Sequence, residues 1–223
     1  MRTVCLTTPI EDPARHAASV AHFAAVGLTD VRYFHGLHAD TSGLSTTHPY
    51  MVDRPEPDAE RFVMGPKPTL IWLGHYFLWQ ALAVSDDDHW LVLECDARFE
   101  DGWRQRIAAA LGHVPPGFDF LYVGSCCTGG RPKTHIAGDV YQMTGIAPQC
   151  NHAYVLARKA ALVLAETLRR VWAPIDIQQV SETFQGGYAL PRSLPFIDPG
   201  DRRLKAYVVL PRIVGQFDTE IPE

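Results

Sequence analysis

The sequence of 223 residues lacks several features that define whole classes of protein. It has no dense run of Lys and Arg, and 20 basic residues stand against 25 acidic ones, for a formal charge of −5. This balance argues against an electrostatic nucleic-acid binder, although it does not exclude a nucleic-acid partner. The most apolar long stretch, 69–84, is short for a membrane span and contains His75 and Gln80. It therefore predicts a buried helix and no transmembrane segment.

Two further absences concern the cellular compartment. The first residues, MRTVCLTTPIEDP, contain no apolar core of a secretory signal peptide. Cysteine is scarce, and the five cysteines are odd in number and lack the spacing of a disulfide framework. Both observations favour a cytoplasmic location, where thiols stay reduced. Cys126 and Cys127 are adjacent and form no C-x-x-C pattern, so we expect small buried residues there and no redox pair.

Segments of strand and helix character alternate along the chain, which is the pattern of an α/β protein. Strand patterns cover 2–8, 31–37, 89–96, 118–125, 151–157 and 205–214, with a further short candidate at 139–144; helix patterns cover 13–28, 69–84, 101–113, 158–172 and 174–184. Residues 38–68 are rich in Pro, Asp, Thr and Ser and predict a long loop. The length suffices for one sizeable core. We expect a single domain, 1–223, with a mostly parallel central sheet and helices on both faces.

The stretch HWLVLECDARF, residues 89–99, places two acids at the end of an apolar run. Side chains alternate along a strand with a period of two, so Glu94 and Asp96 should point to one side and Cys95 to the other. Ligands of open α/β sheets bind beyond the carboxyl ends of the strands, so the two acids should face a crevice. The alternative is that both acids only end the strand and cap the following turn.

A pair of neighbouring carboxylates is unfavourable because the two charges repel each other. A divalent cation would offset this repulsion, and hard oxygen ligands suit Mg²⁺ or Mn²⁺. The acidic pair therefore predicts a divalent metal site at the sheet edge.

The order of several motifs resembles that of glycosyltransferase family 25, the bacterial lipooligosaccharide and procollagen galactosyltransferase group. An apolar strand that ends in L-E-D-D is similar to LECD here, with Cys95 in place of the middle acid. The other similar segments are VCLTTPIEDPAR near the N-terminus, LGHYFLW around His75, AYVLARKAA from Ala153, PID at 174–176 and YVVLPRIVGQ at 207–216. The family's Asn-Leu after the first strand and its Gly-Glu-x-Gly-Cys element are absent.

The resemblance implies a Rossmann-like GT-A domain that uses a nucleotide-sugar donor, with a UDP-sugar as our expectation, and Mn²⁺ or Mg²⁺. It implies that Asp96 ligates the metal directly and that Glu94 ligates it through water or contacts the donor. Thr7, Thr8 and Arg15 follow the first strand, where GT-A enzymes hold the nucleotide, and Arg15 would face phosphate. For Arg15 the alternative is an exposed helix residue.

Three further residues are candidates with open alternatives. His75 is either a paired core histidine or, as the resemblance favours, a donor-side or structural hydrogen-bonding group. His152 is a third metal ligand, an acceptor contact or a strand-edge residue. Asp176 is a helix N-cap, an anchor for the acceptor or, as the resemblance implies for an inverting transfer, the general base that deprotonates the acceptor hydroxyl.

The sequence thus predicts a metal-dependent glycosyltransferase that moves a hexose to a hydroxyl of a glycan, protein or other acceptor. One alternative is a nucleotidyltransferase of sugar nucleotides, but the segment TTPIEDPAR lacks the glycines of a triphosphate-binding loop. The other is a non-catalytic glycosyltransferase-like binding module.

Overall fold

The computed structural model describes residues 1–7, 12–36, 66–126, 133–143, 149–168, 171, 173–183 and 204–217. The helices are α1 (Pro13–Ala25), α2 (Pro66–Ala83), α3 (Trp103–His113), α4 (Arg158–Thr167) and α5 (Ile175–Thr183). The strands are β1 (Arg2–Thr7), β2 (Val31–His35), β3 (His89–Glu94), β4 (Ala97–Phe99), β5 (Phe120–Cys126), β6 (Lys133–Ala137), β7 (Val140–Met143), β8 (Gln149–Ala157), β9 (Ala206–Val209) and β10 (Val214–Gln216).

Eight strands form one mixed sheet in the order β2-β1-β3-β8-β5-β9-β7-β6, and β10 pairs with β4 in a separate ribbon. β1 is parallel to both β2 and β3, and β5 is parallel to β9. Only β8 and β7 run against the other strands of this sheet, since both of their pairings are antiparallel. The predicted α/β class with a mostly parallel sheet is confirmed.

Helices cover both faces of the sheet, as predicted. On one face α2, α4 and α5 enclose an apolar cluster that includes Trp72, Trp79 and Leu164. On the other face α1 and α3 contribute Phe23 and Ile107 to a second cluster. Since β3 and β5 carry apolar side chains on both faces, they read as nearly continuous apolar runs in the sequence.

Several boundaries differ from the predictions. The predicted strand 205–214 divides into β9 and β10, because Pro211 has no N–H to continue a ladder. The helix predicted at 101–113 begins at Trp103. Gly102, and not the acidic Asp101, is its N-cap, with φ of 72° and no side-chain hydrogen bond. β4 and β6 have no counterpart in the predictions, because each is short and β6 is exposed. The predicted loop 38–68 lies outside the described residues up to position 65.

Gly124 allows β5 and β10 to approach closely. A Cβ there would lie 2.5 Å from His152 Nε2 and 2.6 Å from the Val214 carbonyl oxygen. We expect Gly124→Ala to lower the free energy of unfolding by about 2 kcal/mol through overpacking. Gly112→Ala is the matched control, because nothing lies within 4 Å of its Cβ and alanine favours the helix. Urea denaturation measures both; a Gly124→Ala protein as stable as the parent would contradict this packing.

Candidate functional site: an acidic cleft at the sheet edge

A cleft of about 340 Å³ opens at the carboxyl edge of β1 and β3. Five elements build it: the ends of β1 and β2, the start of α1, the first half of α2, and the residues after β3. Its lining residues are Leu6, Thr7, Asp12, Arg15, Gly36, Leu70, Ile71, Glu94, Cys95 and Asp96. The structure therefore brings Glu94 and Asp96 together in one cleft at the sheet edge that the sequence predicted.

Cys95 lies in a turn directly after β3 and not in the strand itself. The strand ends at Glu94, and Cys95 and Asp96 form a turn into β4, so the alternation of strand side chains stops there. Cys95 is among the residues that line the cleft, and its side chain also packs against the apolar cluster on the α1 and α3 face. Burial, with the charges of Asp96 and Glu94, raises the pKa of the Cys95 thiol to about 11. The thiol is thus protonated at neutral pH and is a poor nucleophile.

The surroundings of the Asp96 carboxyl group disfavour its negative charge. Burial, and then the charge of Glu94, raise its pKa to about 6, although Arg15 opposes this shift. Arg15 Nη1 lies 3.8 Å from Asp96 Oδ2, and Gln216 Nε2 donates to the same oxygen at 3.3 Å. The other oxygen, Oδ1, is buried and has no partner among the described residues. An unpartnered carboxylate oxygen beside a second acid suits a cation.

Glu94 is anchored from behind by a buried chain of polar groups. Its Oε1 lies 3.0 Å from Nε2 of His75, whose Nδ1 lies 2.9 Å from the Tyr154 hydroxyl. The Trp79 indole N–H donates to that same hydroxyl at 3.1 Å. An indole N–H can only donate, so the Tyr154 hydroxyl accepts from Trp79 and donates its own proton to Nδ1 of His75. The proton of His75 is then on Nε2, which donates to Glu94.

This chain fixes both the charge and the orientation of Glu94. Burial alone would raise the pKa of Glu94, but the hydrogen bond from His75 outweighs burial and holds this pKa below its ordinary value. His75 is fully buried, and α2 holds it under the cleft without placing it among the lining residues. His75 is thus a fully buried histidine with both ring nitrogens paired, and its donor-side role stays a prediction.

The start of α1 borders the cleft on its other side. Asp12 caps the helix by accepting from the Arg15 N–H at 2.9 Å, and its second oxygen pairs with Arg15 Nε at 3.1 Å. Thr7 is buried and its Oγ1 lies 2.9 Å from His16 Nδ1. The helix N-terminus and the guanidinium together favour an anion in this part of the cleft. Thr8 lies outside the described residues.

Asp176 and His152 do not line this cleft. Asp176 lies in the first turn of α5, where its carboxylate accepts from the backbone N–H of Cys150 and of Ile177, each at 3.0 Å. His152 is fully buried on β8, and its Nε2 lies 3.0 Å from the Val214 carbonyl oxygen. Burial lowers the pKa of His152, so the imidazole is neutral and Nε2 carries the donated proton. Their predicted roles as base and as metal ligand stay predictions.

Two features beside the cleft had no role in the predictions. Gln216 contacts Asp96, which lies 120 positions earlier in the chain. In the sequence, Gln216 was noted only as the last residue of the segment YVVLPRIVGQ. Cys126 is disulfide-bonded to Cys150, which differs from the expectation of unpaired buried cysteines. The partner was not predictable, because the pair depends on the register between β5 and β8.

No protein-family model matches the chain, and no curated protein matches it in sequence. The resemblance to glycosyltransferase family 25 therefore stays a prediction. In the described part of the chain, no helix is both long and apolar enough to cross a membrane.

Several solved structures align with most of the chain. One is a glycosyltransferase involved in the glycosylation of the major capsid of PBCV-1, at 12% identity over 94% of this chain and 91% of that one, with a TM-score of 0.44. Another is the galactosyltransferase LgtC with donor and acceptor sugar analogues, at 14% identity, 99% and 88% coverage and a TM-score of 0.44. A third is A197 from STIV, at 13% identity, 96% and 83% coverage and a TM-score of 0.36. We draw no functional argument from likenesses of this size.

Proposed function

We propose that this chain is a metal-dependent glycosyltransferase that moves a hexose from a nucleotide-diphosphate sugar, with UDP as the nucleotide, to an acceptor hydroxyl with inversion. The observation that carries the proposal is the position of Glu94 and Asp96 beside Arg15 in the cleft at the carboxyl edge of β1 and β3. This arrangement offers the hard oxygen ligands of two carboxylates to a cation and one guanidinium to a diphosphate.

Glu94 and Asp96 fit a divalent cation such as Mn²⁺ or Mg²⁺. Asp96 Oδ1 lacks a partner within the described part of the chain, and the raised pKa of Asp96 reflects a negative charge that burial and Glu94 disfavour. A bound divalent cation supplies Lewis-acid stabilisation of the departing nucleoside diphosphate. Asp96 is the direct ligand in this proposal, and Glu94 completes the site or contacts the donor.

Other residues in the cleft, and His75 beneath it, orient the donor. Arg15 holds the diphosphate, and the adjacent N-terminus of α1 adds the positive end of a helix dipole. Thr7 lies at the end of β1, where its hydroxyl forms a hydrogen bond with His16, and it lines the cleft beside the proposed diphosphate position. His75 keeps the Glu94 carboxylate ionised and pointed into the cleft. These groups are in place before the donor arrives, so little reorganisation is needed.

Asp176 is our proposed general base for the acceptor hydroxyl. If it has this role, Asp176→Asn lowers turnover at least about 100-fold and leaves the affinity for UDP unchanged. Turnover and calorimetric UDP affinity measure the two effects separately. Glu166→Gln on the exposed face of α4 is the control for loss of one negative charge. Unchanged turnover in Asp176→Asn would remove Asp176 from the mechanism and leave it as an anchor of the Cys150 backbone.

A mass-spectrometric screen of sugar nucleotides tests the function itself. With Mn²⁺ and a mixture of hydroxyl acceptors, we expect release of UDP from a UDP-hexose and a product heavier by one hexosyl group. Arg15→Ala should weaken donor binding roughly tenfold, as expected for the loss of one charged phosphate contact. Release of pyrophosphate from nucleoside triphosphates would instead indicate a nucleotidyltransferase. Nucleotide binding without any turnover would indicate a binding module.

A further inference from the structure

A second group of metal-ligand side chains lies behind the cleft. Within the described residues, the sulphurs of Cys126 and Cys150 and a ring nitrogen of His152 all lie within 4.8 Å of one another. Cys126 ends β5, and Cys150 and His152 lie on the neighbouring strand β8. The register between these strands is irregular there, and Cys150 has a φ of 67°, which brings its sulphur to Cys126. Cys126 and His152 are buried and Cys150 is half-buried, which leaves one side of the group open to an entering ion.

His152 has the bonding pattern of a metal-binding imidazole. Its Nε2 donates to the Val214 carbonyl, and such a bond to a backbone carbonyl fixes the tautomer and leaves the other nitrogen with a lone pair. That nitrogen, Nδ1, is buried and has no partner in the part of the chain that the structure describes. A buried imidazole nitrogen without a partner is unfavourable, and a metal ion would satisfy it.

We propose that Cys126, Cys150 and His152 form a binding site for Zn²⁺ when the two cysteines are reduced. Two thiolates and one neutral imidazole are a ligand set that Zn²⁺ prefers, with water as the fourth ligand, and differ from the hard oxygens of the cleft. The disulfide between Cys126 and Cys150 is then the oxidised, metal-free form of the same site. In this assignment His152 serves the sulphur site and is not a ligand of the cation at Asp96.

The two forms interconvert by a two-electron reduction. A phosphine reductant takes one oxygen from water and becomes a phosphine oxide, while two electrons and two protons convert the disulfide to two thiols. Both thiols then lose their protons as they bind Zn²⁺, so zinc binding releases two protons. Gln216 is the residue between the two sites, because its amide contacts both Cys126 Sγ and Asp96 Oδ2.

Metal analysis of the phosphine-reduced protein tests this proposal. We expect about one Zn²⁺ per chain, and Co²⁺ substitution should give the visible absorption of a tetrahedral thiolate site. Cys126→Ser, Cys150→Ser and His152→Ala should each weaken zinc binding roughly tenfold or more. Cys5→Ala is the matched control, because Cys5 is an unpaired buried cysteine outside the group; its zinc content should equal that of the parent.

His152→Ala separates a metal site from a structural disulfide, since disulfide formation does not need the imidazole. In case this variant fails to fold, iodoacetamide labelling of the reduced parent protein gives an independent readout. Zinc should slow labelling of Cys126 and Cys150 at least about tenfold, because the metal occupies the thiolates. A reduced protein that binds no zinc, or a folded His152→Ala protein that binds it as tightly as the parent, would overturn the proposal.

Discussion

Asp96→Asn is expected to abolish metal-dependent nucleotide binding and, in the same protein, to increase stability at neutral pH. The amide keeps the size of the carboxyl group and can still accept the hydrogen bond from Gln216 Nε2. It cannot supply a negative charge to a cation, so we expect turnover to fall at least about 1,000-fold, in line with losses of single electrostatic groups in active sites.

The gain in stability follows from the pKa of Asp96. This pKa is raised from 3.8 to about 6 in the folded protein, first by burial and then by the charge of Glu94. Between about pH 4 and pH 6 the folded protein keeps a proton that the unfolded chain has released, so stability falls as the pH rises through this window and stays reduced above it. A shift of about two pKa units corresponds to about 3 kcal/mol, which asparagine should largely restore.

Urea denaturation in metal-free buffer measures this effect. At about pH 7.5 the Asp96→Asn protein should be more stable than the parent by about 2 kcal/mol, and below about pH 4 the difference should vanish. Asp101→Asn, at an exposed position before α3, removes the same charge away from the cleft and should change stability little. An Asp96→Asn protein that is less stable than the parent at neutral pH would show that the carboxylate is well satisfied without a cation.

His75→Leu is expected to destabilise the protein more than any other single change in the cleft region. It removes the partner of Glu94 Oε1 and also leaves the Tyr154 hydroxyl without its acceptor. Breaking a largely buried pair while its charge remains costs about 3 kcal/mol. The Glu94 side chain is 22% exposed, so water offsets part of this cost. Because the pKa of Glu94 should rise, the penalty is largest at neutral pH and shrinks as Glu94 becomes protonated in acid.

A double-mutant cycle with Glu94→Gln isolates this interaction. The cost of His75→Leu should fall by at least about 1 kcal/mol when Glu94 is already a neutral amide. Tyr154→Phe is the milder control further along the chain of hydrogen bonds, and it should cost about 1 kcal/mol. Equal costs of His75→Leu in both backgrounds would mean that His75 acts only through packing against Trp79 and Tyr154.

The cleft was predictable from the sequence where local pattern and sheet topology agree. The apolar run before Glu94 and the alternation of strands and helices place the acids at a sheet edge, and the structure has them there. The end of β3 was not predictable, because LECD reads as extended up to Asp96 whereas the strand ends at Glu94. Cys95 and Asp96 form the turn that follows, and both residues line the cleft together with Glu94.

The partners that tune the acids depend on contacts between distant parts of the chain. His75 reaches Glu94 because α2 packs against β3, and Gln216 reaches Asp96 because β10 pairs with β4. Neither pairing leaves a periodic signal in the residues themselves. The Cys126–Cys150 pair has the same origin, since it depends on how β5 and β8 lie side by side, with an irregular register at their ends.

Calorimetric titration of UDP into the metal-free protein, with and without Mn²⁺, tests the central claim most directly. If Glu94 and Asp96 hold a cation beside a diphosphate, Mn²⁺ should increase the affinity for UDP at least about tenfold in the parent protein, and Asp96→Asn should lose this increase. A UDP affinity that Mn²⁺ does not change, or an Asp96→Asn protein that keeps the full increase, would contradict the account.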